Sequence, residues 1–154
     1  MKKLILAAFL FVSTMSTSTL ADIKMGIILG FTGPIESLTP AMAGSAELAF
    51  KEASDSGKLL GGQKISVERA DSTCVDSAAA TTAAEGLISN GVVAIMGADC
   101  SGVTGAIATN VAVPNGVVMI SPSATSPGLT DLNDNGYFFR TCLLYTSPSP
   151  RDTT

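Results

Sequence analysis

Hydroxyl groups cluster where a predicted strand ends and a predicted helix begins. Residues 96–106 read MGADCSGVTGA, which predicts Ser101 as the helix N-cap and Thr104 in the first turn. The N–H groups of a first turn have no intrahelical acceptor and carry partial positive charge, so the turn favours a carboxylate or a phosphate. Gly102 lets a ligand approach the backbone closely. The alternative is that Ser101 only caps its own helix, as serine commonly does.

A second loop rich in hydroxyls follows the next predicted strand. Residues 121–127 read SPSATSP, and two prolines stiffen this loop, which lowers the entropy lost when a ligand binds. Its backbone carbonyls and the Thr125 hydroxyl can accept and donate hydrogen bonds around a small zwitterion. The alternative is an ordinary Ser/Pro loop that binds nothing.

Two cysteines end neighbouring loops at one edge of the predicted sheet. Cys74 closes the segment ADSTC, and Cys100 closes the segment GADC. Export favours their oxidation, and a disulfide here would hold the Ser101 turn in place. The alternative is two separate buried thiols. A structural zinc site needs four ligands, which two thiols in a chain without histidine do not supply.

Residues suited to catalysis are sparse. The chain has no histidine, and it contains no G-x-S-x-G, S-x-x-K or glycine-rich phosphate-loop segment. Asp71, Asp76 and Asp99 are the candidates for an acid–base pair, but aspartates near loops are usually solvated or cap helices. We therefore expect a protein that binds a solute without converting it, and we expect no metal or cofactor.

Strands and helices alternate along the chain and would position these loops. Short apolar runs predict strands, and segments with apolar residues on one face predict helices. The predicted strands are residues 23–29, 65–69, 92–96, 117–120 and 137–140, and the predicted helices are residues 39–56, 76–89 and 101–112. This order predicts an α/β fold with a Rossmann-like parallel sheet flanked by helices. Ligands of such sheets bind beyond the carboxyl ends of the strands, where loops 30–38, 97–104 and 121–130 meet.

The two ends of the sequence differ from its middle. Residues 1–21 have a basic start, a nine-residue apolar run and a small-residue end, which predict a signal peptide cleaved after Ala21 and export of the chain. Residues 142–154 begin with CLLYTSPSPRD, which resembles a translated sequencing-library adapter; the alternative is a proline-rich disordered end. We therefore expect one incomplete lobe in residues 22–141 and a natural protein that continues beyond Thr141.

The charge of the body limits the class of partner. Residues 22–141 carry six lysine and arginine residues against twelve aspartate and glutamate residues, a net charge of −6. Nucleic acids and anionic lipid surfaces require a basic patch, which this composition does not provide. The mean hydropathy of +0.41 comes partly from the N-terminal apolar run, and no later segment is apolar for long enough to span a membrane.

Six short segments, in a fixed order, resemble one known family. They are IK at 23–24, TGP at 32–34, ADSTC at 70–74, GADCS at 97–101, ISPSATSP at 120–127 and FRT at 139–141. Together with the predicted signal peptide, they resemble the type I periplasmic solute-binding proteins of ABC importers, in the branch that binds leucine, isoleucine and valine. The resemblance implies a two-lobed protein that closes on its ligand, and this chain would hold most of the first lobe.

The resemblance implies roles for individual positions. Ser101 would bind the α-carboxylate of an amino acid, and Thr125 would bind both the carboxylate and the α-ammonium group. The backbone carbonyl of Ser123 would also bind the ammonium group. Cys74 and Cys100 would form a disulfide.

One position departs from the family pattern. Leu38 stands where leucine-binding relatives carry an aromatic residue, so the sequence does not determine which side chain the solute carries. We expect a periplasmic component that delivers an amino acid to ABC permease subunits in the membrane. The alternatives are the ligand-sensing domain of a receptor or regulator with the same fold, and an exported α/β enzyme.

Overall fold

A computed structural model describes residues 21–59 and 61–142 of the 154-residue chain. The predicted signal peptide up to residue 20 and the predicted adapter-derived tail from residue 143 lie outside the described residues. Within the described part, no helix combines the length and the apolar character needed to cross a membrane.

Five parallel strands form one sheet in the order β2-β1-β3-β4-β5. They are β1 (Ile23–Leu29), β2 (Ile65–Asp71), β3 (Ala94–Gly97), β4 (Val118–Ser121) and β5 (Phe138–Arg140). Because β2 and β3 lie on opposite sides of β1, the loops that follow β1 and β3 leave the sheet in different directions. The predicted α/β fold with a Rossmann-like parallel sheet is confirmed.

Three helices connect the strands. They are α1 (Thr39–Asp55), α2 (Ser77–Ser89) and α3 (Ser101–Ile107), and α3 continues as a π-helical stretch, Ala108–Ala112. The bounds of the elements lie within two residues of the predicted ones. The two largest differences, of two residues each, are the end of β2 and the start of β3. Strand β3 starts late because the N–H group of Val92 donates to the carbonyl of Leu87 at the end of α2 (3.1 Å).

Different hydrogen bonds hold the N-termini of α1 and α2. An N-cap at Thr39 would be expected from the Thr-Pro pair, but Thr39 is the first helical residue of α1 and is buried. Its hydroxyl donates instead to the carbonyls of Gly30 (3.3 Å) and Glu36 (3.2 Å), which ties the helix to the end of β1. Asp76 is the N-cap of α2, and its carboxylate accepts from two first-turn N–H groups at 2.9 and 3.0 Å.

The two faces of the sheet are covered unequally. Helices α2 and α3 pack on one face and bury the larger apolar cluster. On the other face, one cross-strand row runs from Ile27 through Met96 and Ile120 to Phe139. Helix α1 covers the start of this row, where Ile27 is fully buried, whereas Ile120 and Phe139 are 41% and 51% exposed. A groove of about 530 Å³ lies beside α1 on this face.

The end of β3 requires glycine. Gly97 has a φ of +130°, and a Cβ atom added there would lie 1.9 Å from the carbonyl oxygen of Ile28 in the neighbouring strand. The backbones of β1 and β3 therefore approach each other too closely to admit a side chain at this position.

Gly97→Ala is expected to lower the free energy of unfolding by at least about 2–3 kcal/mol, because it adds both a backbone clash and a strained φ. Gly86→Ala is the matched control, since no atom lies within 4 Å of its added Cβ in the middle of α2. The control is expected to stabilise by up to about 1 kcal/mol through helix propensity. Urea unfolding followed by circular dichroism measures both, and equal midpoints for Gly97→Ala and the wild type would contradict the packing described.

Candidate ligand-binding site

Ser101 begins α3 but does not cap it. The N-cap is Cys100, which has an extended backbone and makes no side-chain cap bond, so the predicted N-cap is wrong by one residue. The Ser101 hydroxyl oxygen accepts a hydrogen bond from the N–H group of Ser126 (3.1 Å) in the second loop, which draws it away from its own helix. A serine hydroxyl also carries a proton, so Ser101 can still donate to a ligand.

The first turn of α3 offers N–H groups to a ligand. The N–H group of Thr104 donates to the carbonyl of Cys100 at 2.9 Å, so the N–H groups of Ser101, Gly102 and Val103 precede the first intrahelical bond. The buried Thr104 hydroxyl donates to the same carbonyl at 2.9 Å and supports the turn. No atom lies within 4 Å of an added Cβ at Gly102, so the backbone is open there.

The second loop, residues 121–130, is fastened to the end of β3. The hydroxyl of buried Ser121 donates to the carbonyl of Ala98 (2.5 Å) and accepts from the N–H group of Ala124 (3.0 Å). The hydroxyl of Ser123 donates to the carbonyl of Asp99 (3.0 Å). The side chain of Ser123 therefore supports the loop. The backbone carbonyl of Ser123 is the group that the family resemblance implies would bind a ligand.

Arg140, at the end of β5, holds the same loop from the other side. Its guanidinium donates to the carbonyls of Ala124 (3.3 Å) and Ser126 (2.8 Å) and to the hydroxyl of Thr130 (2.5 Å). Sequence reasoning did not assign this role, although the FRT segment contains the residue. Thr125 lies between the two bonded carbonyls, is exposed, and makes no side-chain hydrogen bond to another described residue.

The first loop, residues 30–38, is held beside the end of β2. The carboxylate of Asp71 accepts from the N–H group (3.3 Å) and the hydroxyl (2.6 Å) of Thr32, and also from the N–H group of Thr73 (2.8 Å). Leu38 ends the loop as the N-cap residue of α1, and its side chain is 60% exposed. An exposed leucine at this edge is available to contact an apolar group of a ligand.

The hydrogen bonds to Asp71 shift its acidity. Burial raises the pKa of this carboxyl, but the bonds from Thr32 and Thr73 favour the ionised form and lower the pKa more, so it lies below its ordinary value. Asp71 therefore stabilises the fold as a carboxylate.

Cys74 and Cys100 form a disulfide, with their Cα atoms 5.2 Å apart. The predicted bond is confirmed, and the alternative of two separate thiols is wrong. The bond joins the loop after β2 to the N-cap of α3, so it restrains the position of Ser101. Cys142 is a free cysteine.

Asp99 is buried and hydrogen-bonded to other loops, which its sequence context did not indicate. Its side chain is only 4% exposed, so of the two expected roles, solvated or helix-capping, the solvated one is wrong. One carboxylate oxygen accepts from the N–H group of Gly30 (2.8 Å). The other accepts from the N–H group of Cys100 (2.9 Å) and lies 3.5 Å from the hydroxyl of Ser72. The contact with Gly30 spans 69 residues, so no local pattern points to it.

The structure places the four predicted site residues on three loops at one edge of the sheet. Ser101, Ser123 and Thr125 lie on two loops that are joined by the Ser101–Ser126 bond, and Leu38 lies on the third. The groove beside α1 is a different feature, because its lining is mostly apolar and includes no charged side chain. The polar edge is therefore the better candidate for binding a zwitterion.

Comparisons with known proteins agree on one family. A family model described as "Periplasmic binding protein" matches residues 22–149. The Leu/Ile/Val-binding protein BraC3 of Rhizobium johnstonii is 33% identical over 110 residues, which cover 71% of this chain and 29% of that protein. The leucine-specific-binding protein of Salmonella typhimurium is 29% identical over 148 residues, which cover 96% of this chain and 39% of that protein.

A solved structure supports the same assignment. The branched-chain amino acid transporter substrate-binding protein LivJ of Streptococcus pneumoniae, in complex with isoleucine, superposes with a TM-score of 0.71 at 31% identity. The match covers 80% of this chain and 34% of that one. The chain thus spans about a third of the length of these similar proteins.

Reduction of the Cys74–Cys100 bond is expected to lower the free energy of unfolding by about 3–4 kcal/mol, because the bond closes a loop between residues 26 positions apart. Urea unfolding with and without a reductant measures the effect. Cys142→Ser is the control and should respond to the reductant as the wild type does, because Cys142 is not in the disulfide and a serine hydroxyl can replace its hydrogen bond to the carbonyl of Ala124 (3.1 Å). An unfolding midpoint that does not respond to the reductant would contradict a stabilising role.

Asp71→Asn is expected to destabilise the fold at neutral pH. The difference in free energy of unfolding from the wild type should shrink as the pH falls below 3.8, which is the ordinary pKa of an aspartate. The folded-state pKa lies below the unfolded one, so the ionised group stabilises the fold above the unfolded pKa. That contribution is lost as the pH falls through the folded pKa. Unfolding curves from neutral pH to about pH 2 measure this pH dependence. Thr32→Val removes one of the donors to Asp71 and should show a smaller effect of the same kind. A difference that is constant with pH would refute this role.

Proposed function

The chain belongs to the periplasmic binding protein family, and from this premise we propose that it is the solute-binding component of an ABC importer for an amino acid, with the branched-chain type favoured. The observation that carries the proposal is the juxtaposition of Ser101, the open first turn of α3 and exposed Thr125 at one edge. The named functions of BraC3, the leucine-specific-binding protein and LivJ support the same class of solute.

The carboxylate of the solute binds at the start of α3. The first-turn N–H groups and the Ser101 hydroxyl proton provide donors for a negative group, and the helix terminus adds partial positive charge. The Ser101 oxygen is already held by the N–H group of Ser126, so the hydroxyl is fixed before the solute arrives. Fixed donors lose little entropy on binding, which favours affinity.

The ammonium group of the solute binds at the second loop. The backbone carbonyl of Ser123 accepts from it, and the Thr125 hydroxyl contacts both charged groups of the zwitterion. Bonds from Ser123 and Arg140 to neighbouring groups hold this loop in one conformation. Leu38 contacts the side chain of the solute, and its departure from the aromatic residue of leucine-binding relatives leaves the choice of solute side chain to be measured.

The whole protein would have two lobes. Residues 22–141 would form most of the first lobe, and a second lobe would close over the solute and supply an acidic partner for its ammonium group. A signal peptide in residues 1–21 would direct the protein to the periplasm, where it delivers the solute to membrane permease subunits. The segment 142–154 would be adapter-derived and absent from the natural protein.

The three aspartates considered for acid–base chemistry all have structural partners among the described residues. The carboxylates of Asp71 and Asp99 are both engaged by backbone N–H groups, and Asp76 caps α2. We therefore infer a binding protein and not an enzyme. The description of LivJ as a transporter substrate-binding protein supports transport over the sensing role of a receptor or regulator.

Ser101→Ala and Thr125→Ala are each expected to weaken the binding of leucine, isoleucine or valine to the two-lobed protein by roughly 1–3 kcal/mol, because each removes hydrogen bonds to a charged group. Isothermal titration calorimetry measures the affinities. Thr82→Ala, an exposed threonine change on α2, is the matched control and should bind like the wild type.

Unchanged affinity in both site variants would contradict the assignment of the site. The 154-residue chain alone should bind far more weakly than the two-lobed protein, because one lobe would supply only part of the contacts. Micromolar binding by that chain alone would contradict this expectation.

A further inference from the structure

Asp99 is a buried carboxylate that faces donors from three different loops. Gly30 begins the loop after β1, Ser72 follows β2, and Cys100 precedes α3. The side chain is 4% exposed, so it does not reach an open solute site. The backbone carbonyl of Asp99 also accepts a hydrogen bond from the hydroxyl of Ser123, so the loop after β4 is bonded to Asp99 as well.

The bonds of Asp99 complement the disulfide. The Cys74–Cys100 bond joins the loop after β2 to the start of α3 but does not include the loop after β1. The bond from the Gly30 N–H group to Asp99 supplies that connection. A Cβ added at Gly30 would lie 3.2 Å from the Cβ of Cys74, so the first loop also packs directly on the disulfide.

A carboxylate suits this position for a physical reason. Its two oxygens accept from two backbone N–H groups that point from different directions, at 2.8 and 2.9 Å. Hydrogen bonds to a charged acceptor are stronger than neutral ones, and a buried N–H group without an acceptor is costly. An asparagine has a single amide oxygen and would leave one of these N–H groups poorly bonded.

We propose that Asp99 is a positioning residue for solute binding: it sets the spacing between the first loop, which ends at Leu38, and the start of α3, where Ser101 lies. This inference rests on the proposed function, because it concerns affinity for the same solute. Asp99 acts through the backbone of Gly30 and Cys100 and does not touch the solute itself.

The test compares affinity with stability in the two-lobed protein. Asp99→Ala is expected to weaken binding of leucine, isoleucine or valine about tenfold or more, and Asp99→Asn by a smaller factor, because small misplacements of binding groups reduce affinity. Asp76→Ala is the matched control, since that carboxylate also accepts from two backbone N–H groups but lies at the start of α2. It should lower the thermal midpoint without changing the affinity.

Amide hydrogen exchange supplies a second readout. One of the N–H groups of Gly30 and Cys100 should exchange faster in Asp99→Asn than in the wild type, and both should do so in Asp99→Ala, whereas those of Ala78 and Ala79 should respond only to Asp76→Ala. If Asp99→Ala does not fold, Asp99→Asn carries the comparison.

The outcomes separate the two proposals. A wild-type protein that binds none of the three amino acids overturns the proposed function and this inference with it. A wild-type protein that binds, with Asp99 variants of equal affinity and reduced thermal midpoint, leaves the function intact and overturns the positioning role. Weaker binding by the Asp99 variants, at temperatures where every variant is folded, supports the positioning role if the affinity of Asp76→Ala is unchanged.

Discussion

The reversal of strand order at β1 is the constraint on which the site depends. Because β2 and β3 flank β1 on opposite sides, the loops after β1 and β3 separate, and the carboxyl edge of the sheet opens between them. An open edge leaves backbone N–H groups without strand partners. In this chain the buried carboxylate of Asp99 satisfies two of them, and Asp71 satisfies two more from the side of β2.

The polar groups at the edge divide into those that hold the loops and those that stay open. The carboxylates, Arg140, and the hydroxyls of Ser121 and Ser123 bind other parts of the protein. The first-turn N–H groups of α3 precede its first intrahelical bond, and Gly102 and Thr125 are exposed, whereas Val103 is buried. This division gives a rigid rim with few free donors, which suits a small solute whose charged groups must be matched in fixed positions.

The apolar surface lies elsewhere. The row that ends in Ile120 and Phe139 is exposed because α1 lies mainly over β1 and β2, whereas α2 and α3 cover the opposite face. The groove on that row is lined mostly by apolar side chains, with Ser45 and Thr141 and no charged side chain. The polar edge and the exposed apolar face are therefore different surfaces, which adjoin at Pro122 of the second loop.

The sequence by itself determined the element order, the parallel sheet, the loops that meet at its edge and the cysteine pair, because periodicity, composition and the positions of loop residues are local. It did not determine which polar groups would meet. The expected caps at Thr39 and Ser101 differ from the structure because Gly30, Glu36 and Ser126 supply partners from other segments. The role of Asp99 depends on an N–H group 69 residues away, and only the folded sheet brings such groups together.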